Sequence, residues 1–100
     1  MKQLLLIRHA KSSWDDPSLE DFERPLNERG KTDAPVMAAR LKKRQPLIDA
    51  FVSSPAKRAK KTAQLFEKVF GKPEDEIIFI SSLYHAPPTV FYEEIQRLPD

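Results

Sequence analysis

The sequence contains no cysteine, so neither disulfide bonds nor thiolate metal ligands can contribute to its stability or chemistry. It also contains no apolar run that approaches about 18 residues, the length at which a membrane-spanning helix becomes plausible. The apolar N-terminal segment Met1–Ile7 ends at Arg8 and His9, and it is too short for the core of a signal peptide. These absences favour a cytoplasmic protein without a membrane partner.

The composition is typical of a folded domain rather than of a disordered chain. Of the 100 residues, 40% are hydrophobic and 32% are charged. The sequence contains no internal repeat and no low-complexity tract. This length suits one compact domain and is too short for two. We therefore interpret residues 1–100 as a single domain.

The net charge of +2 is small, but the charges are unevenly distributed along the chain. Acidic residues crowd the segment Asp15–Glu23, whereas a basic cluster is formed by Lys57, Arg58, Lys60 and Lys61. Such a cluster can bind nucleic acid or another polyanion, but more often it is the solvated face of a helix. We expect a solvated face and no nucleic acid partner.

Three short apolar runs predict β-strands, at Gln3–Ile7, Ile48–Val52 and Glu76–Ile80. The first is a continuous run of the kind that is buried on both faces of a parallel sheet. Between it and the first helix, the segment Ala10–Asn27 is irregular and carries two prolines and several acids. A loop of this length in a compact domain is usually functional or mobile.

The first predicted helix runs from about Asn27 or Glu28 to Arg44, where apolar and small residues recur every three or four positions. Pro35 lies inside this range and fits best in a first turn, which favours a later start of the regular helix.

Two more helices are predicted further along the chain. The second follows Ser53-Ser54-Pro55, where the serines are expected to cap it, and ends near Phe70 before Gly71. The third covers Thr89–Leu98. Strands and helices therefore alternate, which predicts an α/β fold. We expect a three-layer sandwich with a mainly parallel sheet and helices on both faces.

Arg8 and His9 follow directly on the first predicted strand, at the kind of strand end where open α/β sheets bind ligands. A guanidinium group matches phosphate oxygens as a planar donor fork. A neutral histidine can act as a nucleophile when its other ring nitrogen is held by a hydrogen bond. Taken alone, however, the pair is better explained by a structural histidine and an arginine bound to a nearby acid.

The residues at the end of the second predicted strand favour a functional rather than a structural interpretation of Arg8 and His9. This strand leads into Ser54–Ala59 at a helix start, where free amide groups and the helix dipole favour a phosphate. Because parallel strands end at the same edge of a sheet, Arg8, His9 and Arg58 can converge on one anion. The sequence therefore predicts an oxyanion site with a potential covalent catalyst, and phosphate, sulfate, vanadate or tungstate is expected between Arg8 and Arg58.

Three segments of the sequence resemble motifs of the histidine phosphatase superfamily, which includes the phosphoglycerate mutases. Leu6–Trp14 resembles the R-H-G-x-S-x-W signature. Ala10 replaces its usual glycine, as is common in the small phosphohistidine phosphatase (SixA-like) branch. Pro25–Gly30 resembles the P-L-T-x-x-G element, and Ser53–Ala63 matches S-S-P-x-x-R-A-x-x-T-A. The three motifs occur in the order of the family.

The resemblance implies a phosphoglycerate mutase-like fold and an enzyme that hydrolyses a phosphomonoester or a protein phosphohistidine. His9 would form a covalent phosphohistidine intermediate, Arg8 and Arg58 would hold the phosphate oxygens, and Ser12 would add a hydroxyl donor. No metal or other cofactor is implied, because the arginines supply the positive charge. The expected partner is a phosphorylated small molecule or a phosphohistidine protein, and the chain is expected to be a monomer or a weak homo-oligomer.

The sequence departs from the family pattern at the second catalytic histidine, which is not evident. The only other histidine, His85 in Leu83–Ala86, corresponds better to a segment in which the family often carries an acidic proton donor. His85 is thus a candidate general acid, and a partly exposed loop histidine is an equally good interpretation. Trp14 and Tyr84 are open to the same two readings, as substrate contacts or as packing residues.

The length also departs from the pattern, since such domains usually have about 150 residues. We therefore expect that residues 1–100 form the N-terminal two-thirds of a single histidine phosphatase domain. A fragment of this kind would expose a sheet edge and part of its core. It is expected to be inactive or weakly active and prone to associate.

Two alternative functions are a mutase and a phosphate- or polyanion-binding module, that is, a truncated or inactive pseudoenzyme. A mutase needs a larger substrate-enclosing insertion, for which the interval between Arg58 and His85 leaves little room. The binding module would use Lys57, Lys60 and Lys61. The intact His9 argues against it, since binding alone requires no nucleophile.

Overall fold

The computed structural model describes residues 5–44, 46–72 and 76–98, which form three α-helices and a two-stranded parallel sheet. The helices are α1 (Glu28–Lys43), α2 (Lys57–Phe70) and α3 (Pro88–Arg97), and the strands are β1 (Phe51–Ser53) and β2 (Ile77–Phe79). Short 3-10 helices lie at Asp21–Glu23 and Ser81–Leu83. A helix that connects two parallel strands confirms the α/β class.

The sheet is formed by the second and third predicted strands. Phe51 pairs with Ile77 and Ser53 with Phe79 in parallel register, and the amide of Ile80 continues the ladder by donating to the Ser53 carbonyl at 3.0 Å. β1 is shorter than predicted, because residues 48–50 lie outside it. Both strands end at one edge of the sheet, and the segments that follow them lie at that edge.

The strand predicted at Gln3–Ile7 does not form in its described part. Leu5, Leu6 and Ile7 have no regular secondary structure and are 49%, 76% and 44% exposed. Gln3 and Leu4 lie outside the described residues. The prediction of a buried strand is wrong here because an apolar run is buried only where other elements cover both of its faces.

Helix α1 begins at Glu28 because Asn27 caps it, with the Asn27 side chain accepting from the Gly30 amide at 2.7 Å. The expectation that Pro35 lies in the first turn is wrong, since Pro35 is inside the helix. Pro35 lacks an amide donor and its ring crowds the carbonyl of the preceding turn, but the buried faces of Ala34 and Ala38 hold the helix on both sides of it.

Helix α2 begins two residues later than the serine caps predict. Ala56 occupies the N-cap position without a side-chain hydrogen bond, and the Ser54 hydroxyl accepts from the Ala56 amide at 3.2 Å instead. The predicted end is confirmed, because Gly71 has a φ of 75° and closes the helix in the left-handed conformation. Among the described residues, no N-cap side chain therefore caps the amide groups of the first turn of α2.

Helix α3 confirms the prediction at Thr89–Leu98 to within one residue at each end, with Pro88 in its first turn. None of the helices within residues 5–44, 46–72 and 76–98 is both long and apolar enough to cross a membrane.

The core lies between α1 and α2, where Ala34, Ala38 and Phe66 are buried together. The half-buried residues that surround this cluster are Ala10, Leu41, Phe51, Leu65, Val69 and Phe70. Because Ala10 belongs to this set, the core also fixes the chain next to His9.

Gly30 allows α1 to approach the loop that follows His9. A Cβ atom on Gly30 would lie 2.2 Å from the carbonyl oxygen of Lys11. That carbonyl is held in place by the Asn27 amide, which donates to it at 2.9 Å, and by an antiparallel bridge between Ser12 and Leu26. We expect Gly30→Ala to lower the free energy of unfolding by about 3 kcal/mol, because backbone rather than a flexible side chain must move.

Urea denaturation of Gly30→Ala beside Gly71→Ala provides the matched comparison. Gly71 has a positive φ of 75°, but a Cβ atom added there would meet no atom of the described residues within 4 Å. The change at Gly71 should therefore cost only about 1 kcal/mol, through backbone strain. Equal losses for the two variants would mean that the close approach is not what requires glycine at position 30.

Candidate functional site

The ring of His9 is oriented by its own neighbour. Nδ1 of His9 lies 2.8 Å from the carbonyl oxygen of Ala10. Because a carbonyl oxygen can only accept, Nδ1 carries the proton of this hydrogen bond. In neutral His9 the lone pair therefore resides on Nε2, the nitrogen that can act as a nucleophile.

The backbone beside His9 is fixed to α2 through Thr62. The amide of Ala10 donates to the Thr62 hydroxyl oxygen at 3.1 Å, and that hydroxyl donates to the carbonyl of Arg58 at 2.8 Å. Thr62 is only 4% exposed. One buried hydroxyl thus connects the residue after His9 to the residue that carries the second predicted phosphate ligand.

Arg58 lies in the first turn of α2, and its side chain is directed into the protein although Lys57 and Lys60 on the same helix are exposed. It is 7% exposed. Its Nη1 donates to the backbone oxygen of Asp21 at 2.6 Å, and its Nη2 donates to Oδ2 of the same residue at 2.8 Å. A buried guanidinium needs an anionic partner, and in this structure Asp21 is that partner.

The carboxylate of Asp21 is contacted by three further side chains. Its Oδ2 accepts from the Tyr84 hydroxyl at 2.6 Å and lies 2.7 Å from Nε2 of His85. Its Oδ1 accepts from Nη1 of Arg24 at 3.0 Å. The hydrogen bonds from Tyr84, His85 and Arg58 hold the pKa of Asp21 far below its usual range. The bond to Asp21 also raises the pKa of Tyr84.

Arg24 joins the same network from the loop side and is 7% exposed. Its Nη2 donates to the Ser12 hydroxyl at 2.5 Å and its Nε donates to the carbonyl of Ser13 at 3.0 Å. Its guanidinium carbon lies 3.2 Å from the centre of the Trp14 ring, a cation–π arrangement. Ser12 is therefore held by an arginine, and Trp14 packs on that arginine while remaining 77% exposed.

His85 lies beyond the end of β2, in a loop that reaches the same carboxylate. Its backbone φ of 51° is in the left-handed region, which is uncommon for a residue other than glycine. Its ring centre is 4.3 Å from that of Tyr84, which in turn meets Phe22 edge-on at 5.0 Å. The contact with Asp21 thus brings the loop after β2 to the loop before α1.

Arg8 stays outside these contacts. It is exposed and makes no hydrogen bond or ion pair with another residue in the described ranges. The structure therefore brings Arg58, Tyr84 and His85 together through Asp21, and links His9 to α2 through Thr62.

The basic cluster on α2 divides into two parts. Arg58 is buried, whereas Lys57, Lys60 and Lys61 are exposed. This agrees with the solvated face expected for the lysines. Within the described part of the chain, no three His, Cys, Asp or Glu side chains are grouped so that they could hold a metal ion.

Sequence reasoning did not single out Asp21 or Arg24 as site residues. The available signal was their spacing, an acid and an arginine three positions apart immediately before the Pro25–Gly30 motif. Within a run of acids, that pair was indistinguishable from a local surface ion pair.

The described residues form a parallel β-α-β unit, with a histidine whose Nδ1 is hydrogen-bonded and an arginine buried at a helix start. They define an α/β protein. Residues 4–79 match the histidine phosphatase superfamily (branch 1), and the chain belongs to that superfamily.

Two individual relatives match most of this chain but less than half of their own length. An uncharacterized chloroplastic protein of Arabidopsis thaliana is 40% identical over 84 residues, which cover 83% of this chain and 38% of that protein. A 2,3-bisphosphoglycerate-dependent phosphoglycerate mutase of Bartonella bacilliformis is 33% identical over 84 residues, or 82% of this chain and 41% of the mutase.

A solved structure extends the similarity to the fold. The crystal structure of an Agrobacterium tumefaciens protein assigned as the phosphohistidine phosphatase SixA matches with a TM-score of 0.81 and 32% identity. The match covers 90% of this chain and 57% of that chain. The expected resemblance to the SixA-like branch and its phosphoglycerate mutase-like fold is confirmed. The chain spans between 38% and 57% of the length of these three proteins.

Proposed function

We propose that this chain carries the nucleophile of a phosphatase, with Nε2 of His9 attacking a phosphoryl group to form a covalent phosphohistidine. The observation that carries the proposal is the 2.8 Å hydrogen bond from Nδ1 of His9 to the Ala10 carbonyl. This hydrogen bond supports a tautomer with the proton on Nδ1, in which the Nε2 lone pair is available as the proposed nucleophile. Residues 1–100 are, in this proposal, the N-terminal two-thirds of one histidine phosphatase domain.

The phosphate ligands in the proposal are Arg8, Arg58 and Ser12. Arg58 supplies a planar donor fork, which suits the non-bridging oxygens of a loose phosphoryl-transfer transition state. The first turn of α2 adds amide groups that lack a side-chain cap, and the helix dipole favours an anion there. Arg8 is exposed and makes no hydrogen bond or ion pair with another described residue, so a phosphoryl group would displace no described partner from it.

The chemistry takes place in two displacements. In the first, Nε2 of His9 forms a bond to phosphorus while the bond from phosphorus to the leaving group breaks, and the leaving group takes up a proton. His85 is the proposed donor of that proton. In the second, a water oxygen attacks phosphorus and passes one proton to His85, the phosphorus–nitrogen bond breaks, and inorganic phosphate leaves with both histidines regenerated.

The proposed substrate is a phosphomonoester or a protein phosphohistidine. The similarity to a SixA protein supports the second class. An imidazole is also a better leaving group than an alcohol, so phosphohistidine places a smaller demand on the general acid. The lack of cysteine is compatible with the reducing cytoplasm as the working compartment.

Trapping the intermediate tests the proposal. The chain is incubated with a ³²P-labelled small phosphoryl donor and quenched, and we expect a label that is stable in alkali and lost in acid, as a phosphorus–nitrogen bond requires. His9→Ala should abolish the label. His85→Ala removes the other histidine, which is the proposed proton donor, and should slow the labelling without abolishing it.

A label that survives in His9→Ala, or that is stable in acid, contradicts the proposal. No label on a folded chain that still binds inorganic phosphate would favour the phosphate-binding module. Transfer of the label from His9 to an added alcohol rather than to water would favour a mutase.

A further inference from the structure

The side chain of Asp21 occupies donors that the proposed function reserves for phosphate. Its carboxylate and its backbone oxygen take both terminal nitrogens of Arg58, at 2.8 Å and 2.6 Å. The same carboxylate accepts from the Tyr84 hydroxyl and contacts Nε2 of His85. A resident anion therefore lies where a substrate anion needs to bind.

We propose that Asp21 is an internal ligand of the phosphate site, and that a phosphoryl group binds by displacing its carboxylate from Arg58. This rests on the proposed function only in taking Arg58 as a phosphate ligand. We call Asp21 and its loop, residues 15–23, the latch: it is closed while the Asp21 carboxylate is bound to Arg58, and it opens when a competing anion takes that place.

The carboxylate of Asp21 is held by buried side chains that come from separate elements of the fold. Arg58 and Arg24 are each 7% exposed, and they approach the carboxylate from a helix and from a loop. Tyr84 reaches it from the segment after β2. Two buried guanidinium groups and a phenol around one acid form a donor set that would serve a phosphoryl group equally well.

Because the Asp21 carboxylate is ionised, we expect a competing anion rather than protonation of Asp21 to open the latch. The pKa of Asp21 is held far below its usual value of 3.8 by its hydrogen bonds, so the carboxylate stays ionised throughout the pH range in which enzymes work. Protonation cannot release it there. A phosphoryl dianion carries more charge and three oxygens, and it can replace the carboxylate without leaving Arg58 unpaired.

The opposite role for Asp21 is a permanent brace that positions Arg58 for the substrate. The two roles predict opposite signs for phosphate affinity. A latch competes with phosphate, so removing its charge strengthens binding. A brace preorganises the arginine, so removing it weakens binding.

The affinity test uses calorimetric titration of inorganic phosphate into the whole chain and into Asp21→Asn. We expect the Kd to fall by about tenfold or more in the variant, the factor that follows if the latched state holds about nine in ten molecules. Asp15→Asn is the matched control, since Asp15 is an exposed acid of the same loop whose carboxylate makes no ion pair with a described residue. Its Kd should change by less than about twofold.

A second measurement on the unmodified chain covers the case in which Asp21→Asn fails to fold. The amides of Glu23 and Arg24 are held by hydrogen bonds to Glu20 and Asp21, and displacement of the latch should loosen them. We expect saturating phosphate to accelerate hydrogen exchange at these two amides while leaving α1 unchanged. A brace predicts slower exchange there, because ligand binding ordinarily protects the residues it contacts.

The outcomes separate this inference from the proposed function. The latch is overturned if folded Asp21→Asn binds phosphate with an unchanged or higher Kd. It is also overturned if exchange at the amides of residues 23 and 24 is unaltered or slower with phosphate, or if neither chain binds phosphate. A trapped His9 adduct together with any of these results leaves the phosphatase proposal standing. Conversely, tighter phosphate binding by Asp21→Asn without an adduct on His9 supports the latch and removes the phosphatase.

Discussion

Replacement of Arg58 by lysine is expected to slow formation of the His9 adduct by about three orders of magnitude, the scale on which a single arginine contributes to phosphoryl transfer. Lysine retains the charge but not the planar fork, so it cannot make the two parallel hydrogen bonds by which a guanidinium group fixes the orientation of a phosphoryl group. The measurement is the initial rate of ³²P incorporation at a fixed, subsaturating concentration of donor.

The matched control is Arg29→Lys, the same change at an exposed arginine whose only ion pair among the described residues is a 3.3 Å contact with Asp33 on the same helix. Its labelling rate should stay within about twofold of the unmodified chain. Arg58 also ties α2 to Asp21, so the unfolding midpoint of each variant is recorded before rates are compared. A loss of less than tenfold in folded Arg58→Lys would show that its guanidinium is not a principal phosphate ligand.

The helices were predictable because their signals are local. The periodicity of small and apolar residues, the cap at Asn27 and the glycine at position 71 act within a few residues of where they occur. The error at Pro35 has a physical origin of the same kind. Local rules place a proline in a first turn, but burial of Ala34 and Ala38 against α2 outweighs the loss of one hydrogen bond.

The strands were less predictable because a strand depends on its neighbours. Phe51–Ser53 and Ile77–Phe79 form because each supplies the other with hydrogen-bond partners. Leu5–Ile7 is equally apolar, yet it pairs with no described strand and remains exposed. Composition measures the tendency of a segment to be buried, and it does not indicate whether anything is available to bury it.

The site residues also differ in whether local sequence signals identify them. His9 and Arg58 could be singled out because each follows a predicted strand within a recognisable motif. Asp21 could not, since its partners Arg58, Tyr84 and His85 are 37, 63 and 64 residues away in sequence. Contacts of that range depend on how the loops fold over the sheet edge, which no local pattern in the sequence reports.

The loss of one buried hydroxyl at Thr62 is expected to slow adduct formation on His9 by about a hundredfold, although Thr62 does not touch the proposed phosphate. Thr62→Val preserves the shape of the side chain and removes the acceptor of the Ala10 amide. The carbonyl of Ala10 orients the His9 ring, so a shift of about 1 Å in this peptide misaligns Nε2 by an amount that typically costs two orders of magnitude.

Stability should fall in parallel, by about 1 kcal/mol, since the amide of the half-buried Ala10 loses its hydrogen-bond partner. Thr62→Ser restores the hydroxyl and should recover most of the rate, which a loss of packing alone would not allow.

Thr32→Val is the matched control. Thr32 also donates to a carbonyl four residues earlier in its helix, at 3.0 Å, but it is exposed and its hydroxyl accepts from no amide among the described residues. If Thr62→Val labels as fast as Thr32→Val, the bond between Ala10 and Thr62 does not position the nucleophile, and the orientation of His9 depends on the core around Ala10 instead.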